Sequence, residues 1–361
     1  MTERCRVGFY VHHEGVGHLA RSLAIATQLS EPVTVLSSID PARIESAATS
    51  PVEVVHLPPD VGPSSTARDP GAGGALHWAP LDPDVAGPRA RVLVEWLTKP
   101  DVAALVCDVS VEAAVLSRLC GVPPIVVREH GRRADDAHVL AHRIARGVLA
   151  PFPEALEPAE TPAWLRAMSF YSGFVSRPLA PAGRDVARTR LGLDDRPTLV
   201  VVVGAGGHSL TGAARRDITD GLRGWQVVVV GTSRSAGTGD DGVRDDGWVP
   251  DISLHLSAAD VVAGTAGSNV VAEVAAAGRP FICVPEDRPF DEQRQRAGRL
   301  AELQVAVVRA HWPTAPEWAP AVSQALALGP DGLARLAVGA SPAIAADWIS
   351  RSVRDAGLVV R

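Results

Sequence analysis

Residues 261–293, VVAGTAGSNVVAEVAAAGRPFICVPEDRPFDEQ, constrain the fold of this chain more than any other stretch. Residues 261–263 are a β-branched run of the kind that forms a buried strand. The turn Gly264-Thr265-Ala266-Gly267-Ser268 follows, with two glycines and an N-cap residue. Residues 269–277 are rich in alanine and valine and stop at Gly278, a helix C-terminal signal, and 281–284 are apolar again after Pro280. A strand, tight turn and helix in this order present unpaired backbone N–H groups and the positive helix end to an anion. Gly267, Ser268 and Asn269 are the candidate anion contacts. Glu273, two turns into the helix, would repel phosphate but can accept hydrogen bonds from sugar hydroxyls. A nucleotide asks for both services.

The start of the chain repeats the plan. Residues 6–11 read as a strand, HHEGVGHLARSLAIATQL as a glycine turn opening an amphipathic helix, and 33–37 as the next strand, which together make a βαβ unit. Gly15-x-Gly17-His18-x-x-Arg21 sits between strand and helix. Further strands are expected at 52–57, 102–107, 124–127, 148–152, 169–173, 198–203 and 226–230. Residues 58–88 are rich in Pro, Gly, Ser and Asp, with His77 and Trp78 inside, and read as a long loop. The segment SRSAGTGDDGVRDD reads as polar and exposed.

The two glycine signatures lie about 250 residues apart, each in its own half of the chain. The later one resembles the C-terminal-domain signature of MurG-like GT-B glycosyltransferases, with Gly267, Glu273, Gly278, Pro280 and Gln293 at matching positions. The earlier one resembles the first loop of the same family. This resemblance implies an α/β protein of two Rossmann-like, doubly wound parallel-sheet domains facing a cleft. An acceptor domain is expected over 1–173, a linker over 174–184 and a nucleotide-sugar domain over 185–340, with a helix in 341–361 returning to the first domain. By the same resemblance Glu273 holds ribose hydroxyls and Gln293 meets the donor sugar or a phosphate. Gly206 and Gly207 of GAGGHS take the place of a phosphate loop. Arg177 stands where an arginine approaches the pyrophosphate, although valine replaces the usual proline of that segment. Trp248 and Val249 stand where backbone groups read the base; packing in the core is their other reading.

Composition narrows the field. The chain has 361 residues, is 46% hydrophobic and 21% charged, and carries a net charge of −6, which favours two globular domains and disfavours nucleic acid as a partner. Lys99, in TKPD, is the only lysine, so neither a Walker A loop nor a Schiff-base lysine is available. The four cysteines form no C-x-x-C pair and read as reduced, buried thiols. The first residues show no signal-peptide pattern and no apolar run approaches membrane-spanning length, so a cytoplasmic protein is expected, with peripheral membrane contact left open.

Transfer of a sugar from a nucleotide requires neutralising the departing diphosphate, removing a proton from the acceptor hydroxyl and excluding water. The Asp-x-Asp at Asp82 falls in a loop rather than at a strand end, so no metal and no other cofactor is expected and the reaction should invert the anomeric carbon. His18 is the candidate base; helix capping or a phosphate contact is the alternative. Glu14, Gly15, Gly17, Arg21, Asp108 and Arg128 are candidate acceptor-side residues, and N-capping of the following helix is the alternative for Asp108. His12 and His13 would face opposite ways if both lay on a strand, which argues against a shared ion. The donor is expected to be a UDP-sugar by family resemblance, and the acceptor a natural product, a lipid-linked molecule or a glycan. A nucleotide-sugar hydrolase and a non-catalytic nucleotide-sugar binder remain the alternatives at this stage.

Overall fold

The computed structural model describes residues 5–13, 16–61, 67–176, 179–204, 210–231, 237–238 and 242–355. Two compact units emerge. One comprises the chain up to Pro153, Ala159–Val175 and everything from Ser341 onward; the other comprises Glu154–Pro158 and Ser176–Ala340.

The first unit runs β1 (Arg6–Val11), α1 (Val16–Ala26), β2 (Val33–Ser37), α2 (Pro41–Ala47), β3 (Glu53–His56), α3 (Pro83–Leu97), β4 (Val102–Asp108), α4 (Val111–Leu119), β5 (Pro124–Val127), α5 (Asp136–Ile144), β6 (Gly147–Ala150), α6 (Ala163–Met168) and β7 (Ser169–Tyr171). Its strands pair in the order β3-β2-β1-β4-β5-β6-β7, all parallel. The second runs α7 (Arg184–Leu191), β8 (Thr198–Val202), α8 (Gly212–Gly221), β9 (Gln226–Val230), β10 (Gly237–Thr238), β11 (Arg244–Asp245), α9 (Ser253–Ala258), β12 (Val261–Gly264), α10 (Ser268–Ala277), β13 (Phe281–Cys283), α11 (Glu292–Glu302), β14 (Val307–Val308), α12 (Ala315–Leu328) and α13 (Asp331–Ala337). Its order is β10-β11-β9-β8-β12-β13-β14, parallel except for the edge pair β10–β11. The last helix, α14 (Pro342–Asp355), packs in the first unit.

Alternation along β1 shows why a parallel sheet forms. Val7, Phe9 and Val11 enter the core beneath α1 and α14, with Leu19, Leu23 and Ile349. Tyr10 enters the opposite core, with Trp96, Leu97 and Val111. Both faces are covered by helices, so both must be apolar. Gly8 faces the second core, where a Cβ would stand 2.3 Å from the buried Trp96 ring. The second unit repeats the plan with Leu199, Val201, Val229, Ala263 and Trp318 in one shared core.

Three expectations change. The 58–88 loop ends early, because Asp82 caps a helix by accepting from Asp84 N at 3.1 Å, and Pro83 fits that helix's first turn. That capping role accounts for the first carboxylate of the Asp-x-Asp pair. The polar segment before Trp248 is not wholly exposed: Asp245 is buried and receives Arg215 at 2.9 Å. His12 and His13 lie beyond the end of β1, so strand alternation does not separate them; their rings stack 4.8 Å apart at 21°. All four cysteines are free; Cys107 and Cys283 are buried, and burial pushes the Cys283 thiol up to about 12.

Candidate active site

Each sheet has a point where successive connections depart in opposite directions, and in open parallel sheets ligands bind beyond the strand ends there. In the first unit it lies between β1 and β4, where Val11 is in register with Asp108. In the second it lies between β8 and β12, where Gly264 pairs with Val202.

At the first of these points α1 places His18, Arg21 and Ser22 opposite the end of β4. Asp108 accepts from Arg21 Nη2 at 2.6 Å and from Ser22 Oγ at 3.1 Å, and lies 3.2 Å from His18 Nδ1. Arg21 also donates from Nη1 to Glu129 Oε1 at 2.6 Å. Arg21, Asp108 and Glu129 are all buried; Arg21 pairs with both carboxylates, and Arg133 Nη2 also donates to Glu129 Oε2 at 3.4 Å. Arg21 Nη2 also stands 3.1 Å from His18 Nδ1. His18 Nδ1 thus lies between a donor, Arg21, and an acceptor, Asp108; in the tautomer whose Nδ1 proton is directed at the carboxylate, the ring keeps its lone pair on Nε2.

Burial opposes charge on His18, but the Asp108 carboxylate and its hydrogen bond outweigh it, and Glu129 adds to them; the imidazole is pushed above its ordinary value. Asp108 and Glu129 are both held below the usual carboxylate range: burial works against their charge, and Arg21 overcomes it.

The capping alternative for Asp108 fails. Ser110 caps α4, accepting from Ala113 N at 3.2 Å. Between them Val109 has φ 61°, a left-handed conformation that β-branched residues avoid. Strain of this kind persists only where surrounding structure enforces it; here the peptide turns so that Asp108 faces α1 while Ser110 faces α4.

Beside this cluster lies a cavity of about 320 Å³, lined by Tyr10, His12, Leu76, Trp78, Arg89 and Leu116 among others. Arg128, another candidate, is buried elsewhere, with its guanidinium 5.4 Å from the Phe152 ring centre and 6.0 Å from that of Tyr171. Gly17 is half-buried on α1. Glu14 and Gly15 lie outside the described residues.

In the second unit the turn after β12 opens α10. Its N-cap is Gly267, which offers no side chain to the helix's first N–H groups. Those groups and a helix end worth about half a positive charge suit an anion. Gly267 has φ −62°, and a Cβ there would meet nothing nearer than Thr265 Oγ1 at 3.4 Å. The protein's own packing therefore does not demand glycine. Gly231 contrasts: at φ +92° its Cβ would fall 2.0 Å from Val203 O.

Gln293 is buried, and its Oε1 accepts from Ala266 N at 3.1 Å and Glu286 N at 3.0 Å, tying the turn before α10 to the loop before α11. Only its amide nitrogen, near Gly267, is left for a ligand. Arg296 is buried one turn further along α11; it donates to Ala266 O and, at 2.8 Å, to Ser268 Oγ. Asn269 is half-buried and Glu273 is buried on the same helix. Trp248 is 58% exposed, which removes core packing as its explanation, and Val249 is half-buried beside it. Arg177, Gly206 and Gly207 lie outside the described residues.

Residues 246–326 match the family described as the glycosyltransferase family 28 C-terminal domain. Over 302 residues the chain is 28% identical to the UDP-N-acetylglucosamine–N-acetylmuramyl-(pentapeptide) pyrophosphoryl-undecaprenol N-acetylglucosamine transferase of Clavibacter sepedonicus, covering 79% of this chain and 78% of that one. This chain is a glycosyltransferase similar to the MurG transferases. The corresponding Thermus thermophilus transferase is 26% identical, with 80% and 82% covered. Among solved structures, MurG of Acinetobacter baumannii aligns with a TM-score of 0.64 at 18% identity, covering 97% of this chain and 99% of that one. The spinosyn forosaminyltransferase SpnP aligns at 0.70 and 14%, covering 97% and 100%. The GT-B fold is thus shared. These relatives are named as transferases, which sets the hydrolase alternative aside.

Sequence reasoning missed Ser22 and Arg296 as members of these clusters, and in the 128–133 loop, taken as a whole for candidate cleft residues, it singled out Arg128 rather than Glu129. Glu129 and Arg296 had a signal available, since each is a charged residue flanked by strand or helix positions that face inward. Ser22 had none. No described helix is long and apolar enough to cross a membrane.

Proposed function

We propose that the enzyme moves a hexosyl group from a UDP-sugar to an acceptor hydroxyl, with His18 as general base. The His18–Asp108 pair carries this reading: Asp108 holds the Nδ1 proton, so Nε2 can take the proton of an acceptor hydroxyl as its oxygen attacks the anomeric carbon. The bond to the diphosphate breaks on the opposite face, the configuration inverts and UDP departs. Asp108 steadies the imidazolium while it lasts, and Arg21 keeps Asp108 ionised.

Donor binding is assigned to the second unit. The first turn of α10, with Gly267, Ser268 and Asn269, would take the diphosphate in place of a cation, joined by Gly206, Gly207 and Arg177. Glu273 would accept from the ribose hydroxyls, the Gln293 amide nitrogen would reach the sugar, and Trp248 with Val249 would border the base. The relatives' printed names make UDP-N-acetylglucosamine the first donor to try, and the cavity beside His18 is the seat proposed for the acceptor. Peripheral association with a cytoplasmic membrane face fits relatives whose acceptor is an undecaprenol pyrophosphate.

The test is His18→Gln and Asp108→Asn assayed with UDP-sugars. His18→Gln should lower kcat by about 10²–10⁴-fold while UDP affinity stays unchanged. Unaltered turnover in His18→Gln sinks the base assignment, and a UDP affinity that depends on added divalent cation sinks the metal-free donor site.

A further inference from the structure

Two groups of imidazole and carboxylate among the described residues have donor atoms within 4.8 Å of one another: His12, His13 and Asp60, and His77, Asp135 and His138. The second is explained without a ligand. Asp135 caps α5 and accepts from His138 N at 3.1 Å, from His138 Nδ1 at 2.5 Å and from His77 Nε2 at 3.0 Å. Arg133 lies 2.9 Å from His138 Nε2, which must then be the accepting nitrogen, so Nδ1 holds its proton toward Asp135 and offers no lone pair to a cation.

The first group is different. His13 Nδ1 and Asp60 Oδ1 are both buried and have no hydrogen-bond partner among the described residues. They stand 3.8 Å apart. That is too long for a hydrogen bond. A bridging water with two bonds of about 2.8 Å would have to close its angle to about 85°, well below the tetrahedral value at which it spans about 4.6 Å. An ion bound about 2.1 Å from each donor separates them by about 3.4 Å at the tetrahedral angle and by up to about 4.2 Å when the angle opens. The observed gap falls inside that range.

From this spacing we infer that His12, His13 and Asp60 form a binding site for a transition-metal dication of the zinc class. Two imidazoles and one carboxylate suit Zn²⁺, Co²⁺ or Ni²⁺ rather than Mg²⁺. Three protein ligands leave a coordination position open. His12 and Asp60 line the cavity, so that position borders the space proposed for the acceptor. The other Asp60 oxygen, Oδ2, is 3.8 Å from Arg89, whose guanidinium is spent on Ser38 Oγ, Pro58 O and Tyr10 OH. The ion ties the chain at Asp60 to the end of β1 and shapes the cavity. It belongs to the first unit, and the inference is independent of the diphosphate site assigned to the second.

The experiment is a Co²⁺ titration of tag-free, metal-stripped full-length protein, followed by visible absorption and calorimetry. One Co²⁺ per chain is expected, displaced by Zn²⁺ but not by millimolar Mg²⁺. His13→Gln and Asp60→Asn should each weaken it at least about tenfold, with circular dichroism verifying the fold, while His138→Gln should leave it intact. Absence of stoichiometric binding overturns the site, as does binding that survives both His13→Gln and Asp60→Asn or is lost in His138→Gln. Because the readout is metal binding, its failure would leave the role proposed for His18 standing, and UDP affinity measured on the same variants reports on the donor site separately.

Discussion

His18 works under opposing loads. Desolvation favours the neutral ring, while Asp108 at 3.2 Å and the more distant Glu129 favour the charged one, and the carboxylates prevail. A base must be neutral to accept a proton, so turnover should rise with pH through a limb centred above about 6.5. Asp108→Asn removes the largest charge that favours the imidazolium. The limb should then move to lower pH while its plateau falls; a limb that stays put in kcat/KM would mean that another group controls it. Gly267 gives a second prediction at this scale. Since a Cβ meets ordinary contacts there and φ is −62°, Gly267→Ala should change stability by no more than about 0.5 kcal/mol. Its effect should appear in binding, with UDP affinity lowered about tenfold, or 1.4 kcal/mol, because the added methyl stands where a phosphate would approach. Calorimetry with UDP decides. Much of this was legible from residue types: Gly267 before a helix and His18 three residues before Arg21 state their chemistry in one dimension. Asp108 was legible as a candidate but its role was not, since a carboxylate after a strand and before a helix looks like a cap until Ser110 is seen doing that work.

Among elements, β1, like its neighbour β4, is held by two faces that meet two different cores. Gly8 lets Trp96 lie directly on the strand. Gly8→Ala would drive a methyl into a buried ring, and overpacking of this kind costs about 1–3 kcal/mol; a shift in the urea midpoint at unchanged slope would register it. Gly147 makes the same allowance for Trp348 of α14, whose ring stacks on Phe170 at 5.0 Å and 2°. The last helix therefore docks through this aromatic pair together with Ala345, Ala346, Ile349 and Val353 in the core. In the second unit, Gln293 and Arg296 of α11 lace the turn that opens α10. Gln293→Ala would strand two main-chain N–H groups, at about 1–3 kcal/mol for each that stays dry. It should therefore lower the thermal midpoint as well as donor affinity, whereas a residue that only touched the sugar would lower affinity alone.

For the molecule as a whole, acid should be the sensitive direction. Burial lowers His138 to about 4 and His142 to about 3, aided by Arg133 for the former and by His138 for the latter. The unfolded chain takes up these protons near pH 6.5 and the native one only well below it. Stability is therefore full above about 6.5 and declines toward pH 4, by up to about 1.4 kcal/mol per pH unit for each histidine. Urea unfolding between pH 7 and 4 should show that slope, and His142→Phe should reduce it; a flat profile would mean that the native state admits the protons freely. The sequence by itself determined the alternation of strand and helix, the two glycine turns and the candidate base, because periodicity and turn chemistry are local properties of the chain. Tertiary structure alone decided that Arg21, Asp108 and Glu129 would form one buried cluster, that His12 and His13 would lie side by side with Asp60 within reach, and that Arg128 would pack between aromatic rings. Those outcomes depend on which strand ends become neighbours, and strand order is a long-range choice made by the packing of helices on both faces of a sheet.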